Sequence, residues 1–320
     1  MTQDRPLVSI VVPMFNAAQF ISTALKSILH EKEVSVEVVV VNDRSTDDSL
    51  ERVKEFNDAR IRVLDGGGRG AAHAMNVGFG DARGEILMFC DADDAYPDTR
   101  IGLQARWLQS HPDYDGVCGT FSTIDHKGKF VARMQSGNNE IEITDELMRG
   151  HLRTSFCTYA IRSELARKVG EFREFFEMGY DLDFQLRVGG AGRIGYVPEN
   201  FYLYRLHSSS LTHSQPNAMR QFFERTALEL HRQRLAGGLD NLQRGRPPEK
   251  PGSDLAAVHS AGAHIQAQLL GQAWREHKDG NRVSALRTGL RALLVNPLNA
   301  EVWKSVLAML VKRSDRKGNQ

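Results

Sequence analysis

The sequence has few cysteines and no long apolar run. Its three cysteines, Cys90, Cys118 and Cys157, are widely spaced and odd in number, so they indicate neither a disulfide framework nor a zinc site. No stretch approaches the roughly 18 apolar residues of a membrane-spanning helix. The opening residues, MTQDRP, also lack the layout of a signal peptide. Together these absences predict a reduced, cytoplasmic protein.

The sequence also lacks a marked excess of either charge. Its 41 Lys and Arg against 40 Asp and Glu give a net charge of +1, which argues against wholesale nucleic-acid binding. The charge is unevenly distributed, because residues 241–320 hold 13 basic and 6 acidic side chains. This basic region predicts peripheral contact with a protein or with the inner face of a membrane, although solvated helix faces also account for it.

The first part of the chain contains runs of β-branched residues that alternate with amphipathic segments. Strands are predicted at residues 7–13, 36–41, 60–64 and 86–90, and helices at 20–29, 50–56, 71–80 and 98–110. Asn16 is predicted to cap the first helix, and Ser45 with Asp48 has capping-box spacing for the second. The alternation predicts right-handed βαβ units, and hence an α/β fold with a parallel sheet.

The stretch EILMFCDADD, residues 85–94, places three carboxylates directly after a buried strand. Ligands of open α/β sheets bind beyond the carboxyl ends of the strands, so Asp91, Asp93 and Asp94 are predicted to lie at a ligand site. Clustered acids repel one another, and a hard divalent ion such as Mg²⁺ would offset that repulsion. In an extended segment Asp91 and Asp93 point to the same side, which fits one on the ion and one on the ligand. The alternative is a solvated acidic loop that caps the next helix.

Asp43 follows the second strand and therefore falls on the same predicted sheet edge as Asp91. The two acids favour a nucleotide pocket, although an isolated Asp at a strand end is more often a turn or cap residue. A glycine-rich loop after the third strand offers backbone N–H groups to phosphate, with Arg69 nearby. A dinucleotide-binding loop is disfavoured, because that loop belongs after the first strand of its βαβ unit.

The second part of the chain mixes strands and helices and ends in a helical region. A β-like run is predicted at residues 156–161, and the clearest linker, rich in Gly, Pro and charge, is at 241–255. Three helices are predicted after the linker, with the helix–Asn–Pro–helix rhythm of tetratricopeptide units, at 261–276, 283–294 and 300–312. One or two such units do not form a solenoid, so they are expected to pack on the catalytic body or on a partner.

An ordered set of motifs resembles glycosyltransferase family 2. The motifs are VSIVVPMFNAAQFISTALKSI, VEVVVVNDRSTDDS, AMNVGFGDARGE and ILMFCDADDAYPD, followed by TYAIRSELARKVGEF, GYDLDFQLRV and YRLHSSSLT. The resemblance covers roughly residues 7–212 and implies a Rossmann-like GT-A fold, mainly parallel and flanked by helices. The predicted divisions are a nucleotide-sugar-binding half at 1–110, an acceptor-binding half at 111–240, the linker at 241–255 and an appended α-helical C-terminal segment at 256–320.

The resemblance also implies which residues bind the nucleotide sugar. Pro13 and Asp43 would line the nucleobase pocket, and Asp91 would face the ribose. The predicted substrate-binding residues are Pro13, Asn16, Asp43, Arg69, Asp91 and Asp94.

The same resemblance implies the metal ligands and the catalytic base. Asp93 would hold Mn²⁺ or Mg²⁺, and His207 matches a histidine that approaches the metal or the diphosphate. Asp181 matches the second acid of a Glu-Asp motif, which is the general base. The alternatives are a hydrogen-bonded loop histidine for His207 and, for Asp181, a helix-surface acid paired with Arg187 or Arg193.

Two residues depart from the family pattern. Tyr180 stands where the first acid of the Glu-Asp motif is expected, with Glu177 three residues earlier. Met75 stands where an arginine is usual, so the diphosphate contacts would fall to Arg69 or His73.

The predicted function is metal-dependent, inverting transfer of a sugar, with a UDP-sugar as the favoured donor. The acceptor would be a hydroxyl of a polysaccharide, a lipid-linked sugar or a protein. One alternative is a sugar-1-phosphate nucleotidyltransferase, which ordinarily has a glycine-rich basic motif after the first strand, where this chain has VVPMFNAAQF. Another is a binding protein whose catalytic site has decayed, with the C-terminal region as its interaction module.

Overall fold

Strands and helices alternate through the first part of the computed structural model, which describes residues 8–134, 137–207, 210, 217–251, 261–278, 280–295 and 297–311. The elements of this part are β1 Val8–Met14, α1 Ile21–Leu29, β2 Val36–Asn42, α2 Ser49–Lys54, β3 Ile61–Asp65, α3 Ala71–Asp81, β4 Ile86–Phe89 and α4 Arg100–Ser110. They match the alternation that the hydrophobic pattern predicts. Their bounds differ from the predicted ones by a residue or two at most ends.

Four of these strands pair in parallel in the order β3–β2–β1–β4. Val12 lies opposite Val40, and Val11 lies opposite Phe89, so the carboxyl ends of β1, β2 and β4 meet at one edge. The β-branched side chains of β1 and β2 are almost all buried, because helices cover both faces of this part of the sheet. Asp43 and Asp91 therefore leave the sheet at the same edge.

The remaining elements make the sheet mixed rather than parallel throughout. They are β5 Gly116–Asp125, β6 Phe130–Met134, β7 Ile141–Glu142, α5 Thr144–Met148, β8 Ala160–Arg162, α6 Ser163–Val169, α7 Tyr180–Gly189, β9 Ile194–Leu206 and α8 Asn217–Gly237. β8 pairs antiparallel with both β4 and β5, and β7 pairs antiparallel with β9. The α/β prediction is confirmed, with its parallel pairing concentrated in β3–β2–β1–β4.

Side chains on α1 show how the helices are held on the sheet. Ile21, Leu25 and Ile28 recur at helical spacing, and all three are fully buried in the core cluster that includes alternate residues of β1. Burying a side chain of this size contributes about 1.5–3 kcal/mol relative to leaving it exposed.

The two predicted helix caps are wrong. Asn16 has a φ of +49°, and its Oδ1 accepts the N–H of Thr46 at 2.8 Å, while α1 begins only at Ile21 without a side-chain cap. The hydroxyl of Ser45 accepts the N–H of Asn16 at 3.1 Å instead of an N–H of α2. These polar side chains tie the loops after β1 and β2 to each other, so their partners are not local.

Other differences lie after residue 134. The run predicted as a strand at 156–161 begins as a 3₁₀ turn, Phe156–Thr158, and only its end belongs to β8. Phe156 is buried in an aromatic cluster with Phe89, Phe172 and Phe184, so its apolar character reflects packing in the core rather than a strand. The short elements β7 and α5 have no counterpart among the predicted ones.

Two compact units divide the chain. The first comprises Met1–Phe121, Gln135–Tyr204 and Ala218–Leu255, and the second comprises Ser122–Met134, Arg205–Asn217 and Ala256–Gln320. In the second unit three helices follow one another, α9 Ala261–Lys278, α10 Arg282–Val295 and α11 Ala300–Val311, as the sequence predicts. His277 of α9 approaches the carbonyl oxygen of Met309 at 3.0 Å, which joins the first of these helices to the last.

No helix among the described residues combines the length and the hydropathy required to cross a membrane.

Candidate active site

The three aspartates after β4 lie on a tight turn. The N–H of Asp94 donates to the carbonyl oxygen of Asp91 at 3.1 Å, so the segment is not extended as predicted. Ala92 and the side chain of Asp94 are buried, whereas Asp91 and Asp93 are half-buried. The turn therefore leaves two aspartates, Asp91 and Asp93, partly accessible at the end of the strand.

A buried cation and two tyrosines support this turn. The hydroxyl of Tyr202 accepts the N–H of Asp91 at 3.0 Å, and the hydroxyl of Tyr96 donates to the carbonyl oxygen of Phe89 at 2.7 Å. The guanidinium of Arg100 lies 3.8 Å from the ring centre of Tyr96 and 5.3 Å from that of Tyr202. Arg100 is fully buried, and cation–π contacts of about 2 kcal/mol or more are typical where the cation is desolvated. Arg100 thus places a permanent positive charge behind the acidic turn.

Asp181 joins these aspartates from the start of α7. Burial, followed by repulsion from Asp93 and then from Asp181, raises the pKa of Asp91 to about 7. That repulsion places Asp181 within electrostatic range of Asp91, although 90 residues separate the two in the sequence. Burial also raises the pKa of Asp181, and the negative charge of Glu224 adds to the effect. The structure therefore brings three predicted acids together.

The alternative partners considered for Asp181 are engaged elsewhere. Nε of Arg187 donates to Asp183 at 2.8 Å, and Arg193 forms ion pairs with Asp113 and Glu142. Tyr180, the neighbour of Asp181, is half-buried, and burial followed by repulsion from the nearby carboxylates raises its pKa well above the usual value. Asp181 is thus an acid near other acids, which is an arrangement suited to accepting a proton.

Asp43 holds the glycine-rich loop. Its Oδ1 accepts the N–H groups of Gly68 and Arg69 at 2.8 and 3.0 Å, and its Oδ2 accepts that of Gly70 at 2.8 Å. The sequence predicts that N–H groups of this loop bind a phosphate. These three bond to Asp43 instead, so the prediction is wrong for them. Since a carboxylate oxygen accepts two hydrogen bonds, Oδ2 of Asp43 retains capacity for a ligand donor.

Glu174 engages the two basic side chains expected near a diphosphate. Its Oε2 lies 2.7 Å from Nη2 of Arg69, and its Oε1 lies 2.9 Å from Nδ1 of His73. The hydrogen bond from His73, ahead of the charge of Arg69, holds the pKa of Glu174 below its usual value. Met75 is buried in the core beside Phe89, so its position is a packing position in this chain.

The remaining predicted residues lie at the strand ends. Pro13 is half-buried near the end of β1 opposite Val41, and Asn16 follows in the loop described above. His207 directly follows β9 in the second unit. Their roles in binding stay predictions.

The sequence did not point to Arg100, Tyr202 or Glu174 as parts of the site. In the sequence, Arg100 is one polar residue of a helix, and Tyr202 is one residue of a strand; neither position indicates a role at the site. Each forms a hydrogen bond with a residue more than 50 positions away in the sequence, and no local sequence pattern predicts such a contact.

The acidic cluster fits a divalent cation bound together with a ligand. Among the residues that the structure describes, no three His, Cys, Asp or Glu form a preformed metal cage. Mg²⁺ is typically held by one or two carboxylates plus substrate phosphates, so two partly accessible aspartates suffice for such an ion. Burial is the main cause of the raised pKa of Asp91, and repulsion from Asp93 and Asp181 adds to it; a cation bound nearby would favour the charged carboxylate against both effects.

Comparison with known proteins identifies the family. A family model described as Glycosyl transferase family 2 matches residues 9–170, which carry β1 to β4, Asp43 and the acidic turn. The chain belongs to glycosyltransferase family 2. The resemblance noted in the sequence is thereby confirmed.

Curated relatives carry glycosyltransferase names. The uncharacterized glycosyltransferase EpsJ of Bacillus subtilis is 32% identical over 219 residues, which is 65% of this chain and 63% of EpsJ. Glycosyltransferase GlyG of Streptococcus pneumoniae is 28% identical over 223 residues, covering 65% of this chain and 74% of GlyG. The chondroitin synthase of Pasteurella multocida is 26% identical over 249 residues, but the match covers only 25% of that enzyme. The chain thus spans less than two thirds of EpsJ.

Solved structures show the same fold. The crystal structure of S. aureus TarS 1–349 in complex with UDP-GlcNAc has a TM-score of 0.62 at 18% identity, covering 96% of this chain and 88% of that one. This likeness, together with the mixed sheet and its flanking helices, confirms the predicted GT-A fold with a helical C-terminal segment.

Proposed function

We propose that this member of glycosyltransferase family 2 is a metal-dependent, inverting glycosyltransferase that moves a sugar from a UDP-sugar to an acceptor hydroxyl. The observation that carries the proposal is that Asp91 and Asp93 follow the carboxyl end of β4 and that Asp181 lies within electrostatic range of Asp91. The glycosyltransferase names of the relatives and the UDP-GlcNAc bound by TarS support the reaction class and the donor.

The donor would lie across the ends of β1, β2 and β4. Asp43 would accept a base N–H through Oδ2 while it holds the glycine-rich loop, and Pro13 would lie against the base. Asp91 would face the ribose. The proposed donor-binding residues also include Asn16, Arg69 and Asp94.

Asp93 would hold Mn²⁺ or Mg²⁺ with the donor diphosphate, and His207 is the second candidate ligand. A bound divalent ion would stabilise the negative charge that develops on the departing nucleoside diphosphate. Arg100 contributes a fixed positive charge behind the same turn, where its guanidinium lies over the rings of Tyr96 and Tyr202.

Asp181 would act as the general base. Inversion requires the acceptor oxygen to approach from the face opposite the leaving group, so a carboxylate must take its proton there. The raised pKa of Asp181 makes it a stronger base than an exposed aspartate. Because the acceptor oxygen attacks the sugar directly, the reaction needs no covalent intermediate.

We further propose where the reaction takes place and on what. Residues 1–110 would bind the donor and residues 111–240 the acceptor, with 241–255 as a linker to the helical segment. The acceptor class is a polysaccharide, a lipid-linked sugar or a glycoconjugate. Three cysteines that are free in the structure support a reducing cytoplasm, and the basic helical segment supports a peripheral contact there.

Calorimetric titration with UDP, GDP, CDP and dTDP, each with and without Mn²⁺, tests the donor class. We expect Mn²⁺-dependent binding of UDP, lost in Asp93→Ala but retained in Asp98→Ala, which removes an exposed acid outside the cluster. Unchanged Mn²⁺-dependent affinity in Asp93→Ala would contradict the metal assignment. If no nucleotide binds, the decayed binding protein becomes the better account.

A further inference from the structure

Exposed apolar side chains concentrate in the last two helices that the structure describes. Of the sixteen large hydrophobic side chains exposed among the described residues, nine fall between residues 283 and 311. They are Val283, Leu290, Leu294, Val295, Leu298, Trp303, Leu307, Leu310 and Val311. Scattered single apolar residues are normal on a protein surface, but a concentration of this kind marks an interaction surface.

On α10 these side chains form one stripe on the outward side. Val283, Leu290 and Leu294 are separated by seven and four residues, so they lie along one helix face, and they are 76%, 55% and 82% exposed. The buried residues of α10, among them Ala285 and Ala292, lie on the opposite face. The outward face of α10 therefore exposes several large apolar side chains where a surface helix normally has polar ones.

Large apolar side chains are also exposed on α11 and in the turn before it. Leu298 in the turn is 93% exposed, and Leu307 on α11 is 55% exposed, whereas Val302 and Val306 are buried on the other side of α11. Trp303 is 46% exposed, and its Nε1 donates to the carbonyl oxygen of Pro297 at 2.8 Å. Tryptophan with a satisfied N–H and an exposed ring is typical of side chains at a membrane–water boundary.

Positive charge accompanies this apolar surface. Arg287 lies on the outward face of α10, between Val283 and Leu290, and Lys304 follows Trp303 on α11; both are exposed, and Lys304 forms an exposed ion pair with Glu301 one turn earlier. Residues 261–320 hold ten basic and four acidic side chains. A second copy of the chain docking face to face would bring like charges together, whereas a bilayer of anionic lipids matches both the apolar and the cationic side chains.

We propose that α10 and α11 attach the enzyme peripherally to an anionic lipid bilayer. The outward side chains of Leu290, Leu294 and Trp303 enter the headgroup region, and Arg287 and Lys304 meet the lipid phosphates. This deepens the peripheral contact in the proposed function by naming its partner and its residues. Its test involves no donor, acceptor or sugar transfer, so the two proposals fail independently.

Co-sedimentation of the full chain with lipid vesicles tests the proposal. We expect binding to phosphatidylcholine vesicles that contain about a third phosphatidylglycerol, weakened by salt, and little binding to phosphatidylcholine alone. The variant Leu290→Ser with Leu294→Ser should bind at least about tenfold more weakly, because it removes apolar area that would enter the bilayer. Arg287→Gln with Lys304→Gln should weaken binding to the anionic vesicles only.

A matched control is the variant Leu235→Ser with Leu239→Ser. These two leucines are each 50% exposed at the end of α8 and just after it, in the first unit, and their replacement should leave vesicle binding unchanged. Circular dichroism of every variant verifies folding. Wild-type vesicle binding by the Leu290 and Leu294 variant would overturn the proposal. The proposal would also be overturned if the chain did not bind anionic vesicles and instead self-associated through Leu290 and Leu294.

Discussion

The hydroxyl of Tyr202 accepts the backbone N–H of Asp91 at 3.0 Å across 111 residues of sequence. Tyr202 lies on β9 and is fully buried, so the turn that carries the aspartates is attached to a strand of the antiparallel part of the sheet. The position of Asp91 thus depends on β9 as well as on β4.

Tyr202→Phe should therefore reduce activity while leaving the fold intact. Removing the hydroxyl leaves the N–H of Asp91 without its acceptor, at a cost of about 1–3 kcal/mol in the free energy of unfolding. Loosening the turn should lower kcat/KM about ten- to a hundredfold, since small misplacements at a reaction centre are costly. Thermal unfolding and steady-state kinetics with the donor identified by titration measure both effects. Wild-type kcat/KM with reduced stability would confine Tyr202 to a structural role.

Asp181→Asn should retain Mn²⁺-dependent donor binding and lose sugar transfer. The amide cannot accept the acceptor proton, and loss of a general base lowers kcat by about a hundred- to ten-thousandfold. The control is Glu177→Gln, which removes an exposed acid that pairs with Lys250 near the start of α7. It should retain wild-type kcat. If the two variants behave in the opposite way, Glu177 is the base and Asp181 is not.

The sequence predicts the supporting fold better than the details of the site. Runs such as VEVVVV determine buried parallel strands, so the common edge of Asp43 and Asp91 follows from sheet geometry alone. The role of Asp181 came only from the family resemblance, because nothing in its neighbourhood relates it to Asp91. The caps at Asn16 and Ser45 failed because the two loops bond to each other.

Glu174→Gln should strengthen the binding of UDP. Glu174 holds Arg69 and His73 and places a negative charge near the expected diphosphate. Neutralising it should lower the Kd of UDP about two- to fivefold, comparable to the effect of an exposed ion pair, and leave the Kd of uridine unchanged. Arg69→Gln should raise the Kd of UDP, because it removes a positive charge near the expected diphosphate. Titration calorimetry with UDP and uridine separates the diphosphate contribution.

Glu171→Gln serves as the control for the Glu174 variant, because it removes an exposed acid three residues earlier in the same loop. It should change neither Kd. Equal effects of the two variants on UDP binding would show a general effect of charge rather than release of Arg69 and His73.

Asp240→Asn should destabilise the fold at neutral pH and much less in acid. Oδ2 of the fully buried Asp240 accepts hydrogen bonds from Arg173 at 2.7 Å and Arg234 at 2.6 Å. Burial raises the pKa of Asp240, but the N–H of Gln243 and these two guanidinium groups outweigh it, so the pKa is lowered. A depressed folded pKa adds stability above the unfolded value, about 3.9, and that stability is lost as the pH falls through the folded pKa.

The difference in unfolding free energy between wild type and Asp240→Asn should therefore be about 3 kcal/mol at pH 7 and shrink below about pH 4. Urea unfolding across this pH range measures it. Glu229→Gln removes the exposed partner of Arg232 on α8 and should change stability by less than about 0.5 kcal/mol at either pH. A difference for Asp240→Asn that does not vary with pH would mean that packing, not the charge on the carboxylate, stabilises this site.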